Sequence, residues 1–194
     1  MRIVILAGGE GRRIGGGKPQ RLIGGETLLA RALARARSWS DEVLVAAREG
    51  GDIADDPAIA GPLGGVAAAL APGGEVLTIA CDMPFLPDDL PTRLQSEAAA
   101  TVAASGGRLH PVCALWKATA RDALPAYLAS GRRSLTGFAE AAGYQAVDWP
   151  VEPFDPFFNI NDEADLARAE EILRGQLLAN CPRSTEHRTG DSYE

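Results

Sequence analysis

Three cysteines, two histidines and an aromatic share of 6% in 194 residues leave several chemistries short of material. Cys81, Cys113 and Cys181 are too few and too scattered for a disulfide framework or a thiolate zinc site, and free thiols are expected. Cys81 has no histidine or other base paired with it in sequence, so core packing is expected of it rather than nucleophilic catalysis. No apolar stretch reaches the length of a membrane span. Met1-Arg2 leads directly into a strand pattern, so no signal peptide and a cytoplasmic protein are expected. A formal net charge of −7 argues against a general nucleic-acid binder. No internal repeat is visible.

What is present suits one α/β domain: 46% hydrophobic and 23% charged residues over a length that can bury a full core. Apolar runs alternate with helical patterns, which implies a mostly parallel sheet with helices on both faces. Strands are expected at Arg2–Leu6, Glu42–Ala46, Val76–Ala80, Thr101–Ala104, Val112–Trp116 and Ala146–Trp149. Helices are expected at Leu28–Arg37 behind a Thr27 cap, from the Gly61–Gly65 turn to Leu70, and at Asp88–Ala98, Lys117–Ala129, Ser134–Ala142 and Asp162–Leu173. The segment 180–194 is polar throughout with no apolar periodicity, and is expected to be a disordered tail without a role for His187. The expected organisation is a domain over 1–175 and a tail over 176–194.

The first strand runs into Gly8, Gly9, Glu10, Gly11, Arg12, Arg13, Ile14, three glycines and Lys18. Glycines allow backbone N–H groups to approach an anion closely, and neighbouring cations suit phosphates. Charge is concentrated here. Residues 1–37 hold Arg2, Arg12, Arg13, Lys18, Arg21, Arg31, Arg35 and Arg37 against Glu10 and Glu26, although the last three arginines fall on a solvated helix. A Walker A loop is excluded, because Arg12 stands where its first glycine belongs and Pro19 where Ser or Thr belongs. A dinucleotide fingerprint starting at Gly9 would need a glycine at Ile14. The loop therefore points to a polyphosphate at the carboxyl end of a first strand.

A second apolar strand delivers Asp82 at its carboxyl end, followed by Met83-Pro84. In open α/β sheets, ligands bind outside the carboxyl ends of the strands. A carboxylate beside a polyphosphate suits Mg²⁺, a hard cation that prefers oxygen ligands; the competing reading is an Asp that caps the next turn. His110 is a pocket candidate only.

The loop from Leu6 to Lys18 resembles the signature of the nucleotidyltransferases that make activated sugars and cofactors, and most closely that of the molybdenum cofactor guanylyltransferases. Further marks of that family follow in order over residues 1 to about 173: Gly61-Pro62-Leu63-Gly64-Gly65, Cys81-Asp82-Met83-Pro84, His110-Pro111, Ser130 to Leu135 with Arg132 and Arg133, and Phe158-Asn159-Ile160-Asn161. The resemblance implies a three-layer Rossmann-like nucleotidyltransferase fold and transfer of GMP from GTP to molybdopterin with release of pyrophosphate. It implies nucleotide contacts from Leu6, Ala7, Gly8, Gly9, Arg12, Lys18, Asp56 (with Asp55 as rival) and Gly65, and Mg²⁺ on Asp82. Lys18, Asp82 and Arg13 become the catalytic candidates. His110, Arg132, Arg133, Asn159 and Asn161 fall to the molybdopterin side. Candidate partners beyond the substrates are molybdenum-insertion proteins and molybdoenzyme chaperones, with no nucleic acid or membrane among them.

Three departures stand out. Gly17 replaces the family's Asp before the loop lysine, in a loop one residue shorter. Ala46-Ala47-Arg48 replaces an asparagine-rich segment, and Asp162-Glu163 follows Asn161 in place of Thr-Pro. Rival readings are a cytidylyl- or sugar-phosphate nucleotidyltransferase on the same fold, and a non-catalytic nucleotide-binding protein for cofactor delivery.

Overall fold

The computed structural model describes residues 1–8, 17–48, 50–56, 58–59 and 61–179. Its centre is a seven-stranded sheet of β1 (Arg2–Leu6), β4 (Val43–Ala47), β5 (Ile53–Ala54), β6 (Val76–Ala80), β7 (Ala100–Ser105), β8 (Arg108–Trp116) and β9 (Tyr144–Trp149), ordered β5-β4-β1-β6-β8-β7-β9. Every neighbouring pair is parallel except the two that involve β8. A two-stranded hairpin of β2 (Leu22–Ile23) and β3 (Glu26–Thr27) stands apart from it. The helices are α1 (Leu28–Arg37), α2 (Pro62–Leu70), α3 (Leu90–Arg93), α4 (Ala120–Ala129), α5 (Leu135–Ala142) and α6 (Glu163–Ala179). Among the described residues no helix is long and apolar enough to cross a membrane.

Strand β1 is buried on both faces, which is why its sequence reads as an unbroken apolar run. Side-chain alternation sends Ile3 and Ile5 into a core with Leu77, Ile79 and the small residues Ala32 and Ala36 of α1. Val4 faces the other way, against Ala46, Ala69 and Val76. A further core on the α2 side gathers Leu63, Val66, Leu70, Trp116 and Phe138. Thr27 caps α1 as expected, its Oγ1 accepting from the Ala30 N–H at 3.1 Å.

Several boundaries differ from the sequence reading for identifiable reasons. The helix expected over Asp88–Ala98 contracts to α3, because Ser96 turns its Oγ to the Ala98 N–H and to Thr101 and so stops helical continuation. Strand β8 begins at Arg108 rather than Val112. It leaves β7 through the two-residue turn Gly106-Gly107, both glycines at positive φ as a tight hairpin of this kind requires. The β7–β8 register then jumps from Ala103↔His110 to Val102↔Ala114, so Pro111, which has no N–H to give, sits where the ladder is interrupted. Helix α6 runs six residues past Leu173 to Ala179, beyond the expected domain limit at 175. Its start is reciprocally capped. Asp162 Oδ1 accepts from the Asp165 N–H, and Asp165 Oδ2 accepts from the Asn161 N–H. The expected tail over 180–194 lies outside the described residues.

Register fixes where chemistry can occur. Leu6 pairs with Ala46 on one side and Ala80 on the other, so the carboxyl ends of β1, β4 and β6 lie side by side. The segments that leave them carry Gly8, Arg48 and Asp82.

Candidate active site

A cavity of about 630 Å³ opens over those three strand ends. Its lining includes Leu6, Gly8, Lys18, Asp56, Gly65, Asp82 and Asn159. Residues that the sequence places far apart therefore meet in one crevice. Ala7 does not line it: the residue is buried in the core, with its N–H donating to Ala46 O at 2.8 Å. Gly9, Arg12 and Arg13 fall outside the described residues.

Lys18 and Asp82 form an ion pair through Lys18 Nζ and Asp82 Oδ2, with side chains only 11% and 16% exposed. Lys18 opens a short 3₁₀ turn, Lys18–Gln20, entered from Gly17 in the left-handed region. Its ammonium also donates to Asn159 Oδ1 at 3.4 Å and Asn161 Oδ1 at 3.3 Å. The other Asp82 oxygen, Oδ1, is buried and has no hydrogen-bond partner among the described residues. A buried lone carboxylate oxygen is costly unless something polar or charged meets it. This is the one direct sign that the donor set fits a hard divalent cation, which is commonly held by one or two carboxylates together with substrate phosphates. Among the described residues no group of three or more His, Cys, Asp or Glu side chains could hold a metal by itself.

The cavity lining also includes Asp55. A Cβ on Gly8 would run into the Asp55 carboxylate, and a Cβ on Gly65 would come within 3.0 Å of its Oδ1 and 2.9 Å of Leu6 Cδ2. Both glycines are therefore needed for close approach, and the carboxylate is seated between them. Burial raises the Asp55 pKa above its ordinary value, and the nearby Arg48 works in the opposite direction. Asp56 also lines the cavity, but its Oδ1 accepts from the Ala58 N–H at 2.9 Å in a local turn. Arg48 was legible only as a substituted asparagine segment; the usable signal was a cation at a strand's carboxyl end.

Cys81 lines the cavity but packs into the core, 5% exposed, with its thiol pushed up to about 12 by burial first and by Asp82 second. Such a thiol is a poor nucleophile near neutral pH, so core packing is the role of Cys81.

The residues expected on the molybdopterin side separate. Asn159 and Asn161 join Lys18. His110 is outside the cavity lining and 6% exposed, its Nε2 2.7 Å from Ser105 Oγ and its ring stacked on Phe157. Burial lowers its pKa, against a smaller opposing effect of Asp155. Arg132 pairs with Glu140 and lies over the Tyr127 ring, and Arg133 donates to the carbonyls of Leu128 and Arg132. Both arginines brace the turn between α4 and α5 and do not line the cavity.

Residues 3–142 match the MobA-like NTP transferase domain. The molybdenum cofactor guanylyltransferase of Nitrobacter hamburgensis is 41% identical over 195 residues, covering 87% of this chain and 92% of that protein. The protein of the same name from Cereibacter sphaeroides is 39% identical, with 88% and 96% covered. Among solved structures, the molybdopterin-guanine dinucleotide biosynthesis protein A of Archaeoglobus fulgidus superposes with a TM-score of 0.74 at 27% identity, covering 90% of this chain and 100% of that one. The 2-C-methyl-D-erythritol 4-phosphate cytidylyltransferase of Thermus thermophilus shares the fold, with a TM-score of 0.63 at 24% identity and 90% and 98% covered. A crevice over three parallel strand ends, a lysine–aspartate pair within it, and relatives near 40% identity over almost nine-tenths of the sequence agree: the chain belongs to the family of nucleotidyltransferases with a MobA-like NTP transferase domain.

Proposed function

We propose that this chain is a cytoplasmic, Mg²⁺-dependent enzyme that transfers GMP from GTP to molybdopterin and releases pyrophosphate. The observation that carries the reaction type is the meeting of Lys18 and Asp82 over the carboxyl ends of β1 and β6. The names of the relatives supply the guanylyl group and the acceptor.

The base end of the cavity agrees with guanine. Guanine presents two adjacent donors, N1–H and the N2 amino group, which match the two oxygens of one carboxylate. Cytosine and adenine each present one amino donor beside a ring-nitrogen acceptor, which would face a carboxylate unfavourably. Asp55, seated between Gly8 and Gly65, is the carboxylate we assign to this task, in preference to Asp56 with its local turn bond. A buried acceptor left unpaired by the wrong base is costly, and that cost is the selection.

At the phosphate end both reactants are anions. The acceptor phosphate attacks the α-phosphorus in line and pyrophosphate departs, with no covalent enzyme intermediate and no strong general base, because the attacking phosphate is already ionised. Asp82 would hold Mg²⁺, which when bound neutralises phosphate oxygens. Lys18 places a positive charge where the leaving pyrophosphate gathers negative charge, with Arg12 or Arg13 as further cations from the same loop.

The test is incubation with molybdopterin, MgCl₂ and each nucleoside triphosphate in turn, reading pyrophosphate and the dinucleotide formed. GTP is expected to give product and CTP little. Product from CTP alone would move the assignment to a cytidylyltransferase. Nucleotide binding without pyrophosphate release would favour a delivery protein.

A further inference from the structure

Asn159 and Asn161 lie 141 and 143 residues from Lys18 in sequence, yet both turn their amide oxygens to its ammonium. An ammonium has three protons to place. Here they meet one charged oxygen, Asp82 Oδ2, and two neutral ones. The distinction matters for an anion-binding lysine. A carboxylate cancels the positive charge that it holds, whereas an amide oxygen fixes the ammonium in space and leaves its charge available.

The segment that carries the asparagines is itself held at several points. Asp155 Oδ1 accepts from Ser105 Oγ at 2.8 Å and from the Phe157 N–H at 2.9 Å. With its single proton given to Asp155, Ser105 accepts from the Nε2–H of His110, 2.7 Å away. The His110 ring stacks on Phe157 with centroids 4.9 Å apart and an interplanar angle of 19°. Further along, the Ile160 N–H donates to Asp82 O at 3.0 Å, and the Asn161 N–H to Asp165 at 2.8 Å. Ser105 and His110 are 2% and 6% exposed, so these bonds are made in a dry setting where they fix geometry strongly.

We propose that Asn159 and Asn161 are positioning residues for Lys18, holding its ammonium for the polyphosphate with uncharged oxygens, and that Ser105, His110 and Asp155 fix the segment from which they do so. The proposal rests on the polyphosphate reading of Lys18 but not on the choice of base or acceptor. It gives the two asparagines work on the nucleotide side of the reaction even when no acceptor is bound.

Magnesium tripolyphosphate, which has neither base nor acceptor, is the discriminating probe, titrated calorimetrically into the full chain. The double variant Asn159→Ala, Asn161→Ala is expected to bind it about tenfold more weakly, as befits two lost hydrogen bonds to a charged group. Asn161→Asp keeps size and acceptor but adds a charge that cancels the ammonium, and is expected to bind more weakly than Asn161→Ala. Ser105→Ala is expected to lose about two- to threefold in the same direction, since Asp155 keeps its bond to Phe157. Melting temperatures identify any variant that has failed to fold; the near-isosteric Asn161→Asp keeps the test alive if the double variant does. Wild-type tripolyphosphate affinity in folded variants, with only the KM for the acceptor raised, overturns the proposal. A wild-type chain that does not bind the probe overturns the polyphosphate reading and this proposal together, whereas GTP bound no tighter than CTP overturns the guanine reading alone.

Discussion

Two parts of the cavity lining, the surroundings of Lys18 and those of Asp55, are made on different principles. Where we propose that the phosphates bind, Lys18, Asp82, Asn159 and Asn161 come from three separate segments and satisfy one another in advance of any ligand, apart from Asp82 Oδ1. Where we propose that the base binds, a single carboxylate, Asp55, is seated by the absence of side chains on Gly8 and Gly65. The first is an arrangement of charges that a polyanion can rearrange. The second is a shape. The difference teaches that rate should depend on the first and selection on the second.

The largest expected break in this comparison is Asp82→Asn. Losing the anionic ligand should cost several kcal/mol of transition-state stabilisation, about a thousandfold in turnover, with GTP still preferred over CTP. Pyrophosphate release near the wild-type rate at ordinary Mg²⁺ would refute the metal assignment. Lys18→Ala comes next, with about a hundredfold lower turnover and weaker binding of every triphosphate. If the rate survives and only Arg12→Ala or Arg13→Ala loses it, the charge belongs to an arginine.

Asp55→Asn should act in the other part of the lining. GTP affinity is expected to fall about tenfold while CTP affinity does not fall, narrowing selection more than rate. The same change should raise the melting temperature slightly at neutral pH. The sign follows from the raised Asp55 pKa. The folded state holds this proton more tightly than the unfolded chain, so the contribution of Asp55 to stability is full below the unfolded pKa and lost as pH rises through the folded one. At neutral pH the ionised group weakens the fold, and a neutral amide relieves it; the gain should shrink toward acid. For the same reason GTP binding should weaken on acidification at a pH above the ordinary aspartate range. A lower melting temperature for Asp55→Asn at pH 7 would contradict this account. The smallest effect is expected from removal of 180–194, which has no apolar face to bury: unchanged melting temperature and activity. A clear drop in either would show that the segment docks.

Much of this was legible where local pattern and tertiary role coincide. β1 and β6 read as strands because they are buried on both faces, and Lys18 and Asp82 were expected in one place because each follows such a strand within reach of its carboxyl end, which is where they pair in the cavity. α1 was legible to the residue from its Thr27 cap, and α2 to its end at Leu70, although the turn expected over Gly61–Gly65 is helical from Pro62. What escaped has no local signature. The Gly106-Gly107 hairpin draws Pro111 into a strand that its missing N–H would argue against, and only the interrupted ladder makes this possible. The Ser105–Asp155 bond joins residues 50 apart in segments that the sequence gives no reason to connect. Asp55 and Asp56 are chemically equivalent in sequence and differ only in which carboxylate the glycines admit.

The bond from the Ile160 N–H to Asp82 O ties the middle of the chain to a segment near its end. During synthesis, the strands β1, β4 and β6 and the seat for Asp55 are all complete once residue 80 has emerged, whereas the surroundings of Lys18 wait for residues 155–161. A chain ending before residue 155 would therefore carry Asp55 and its two glycines but lack both asparagine partners of Lys18.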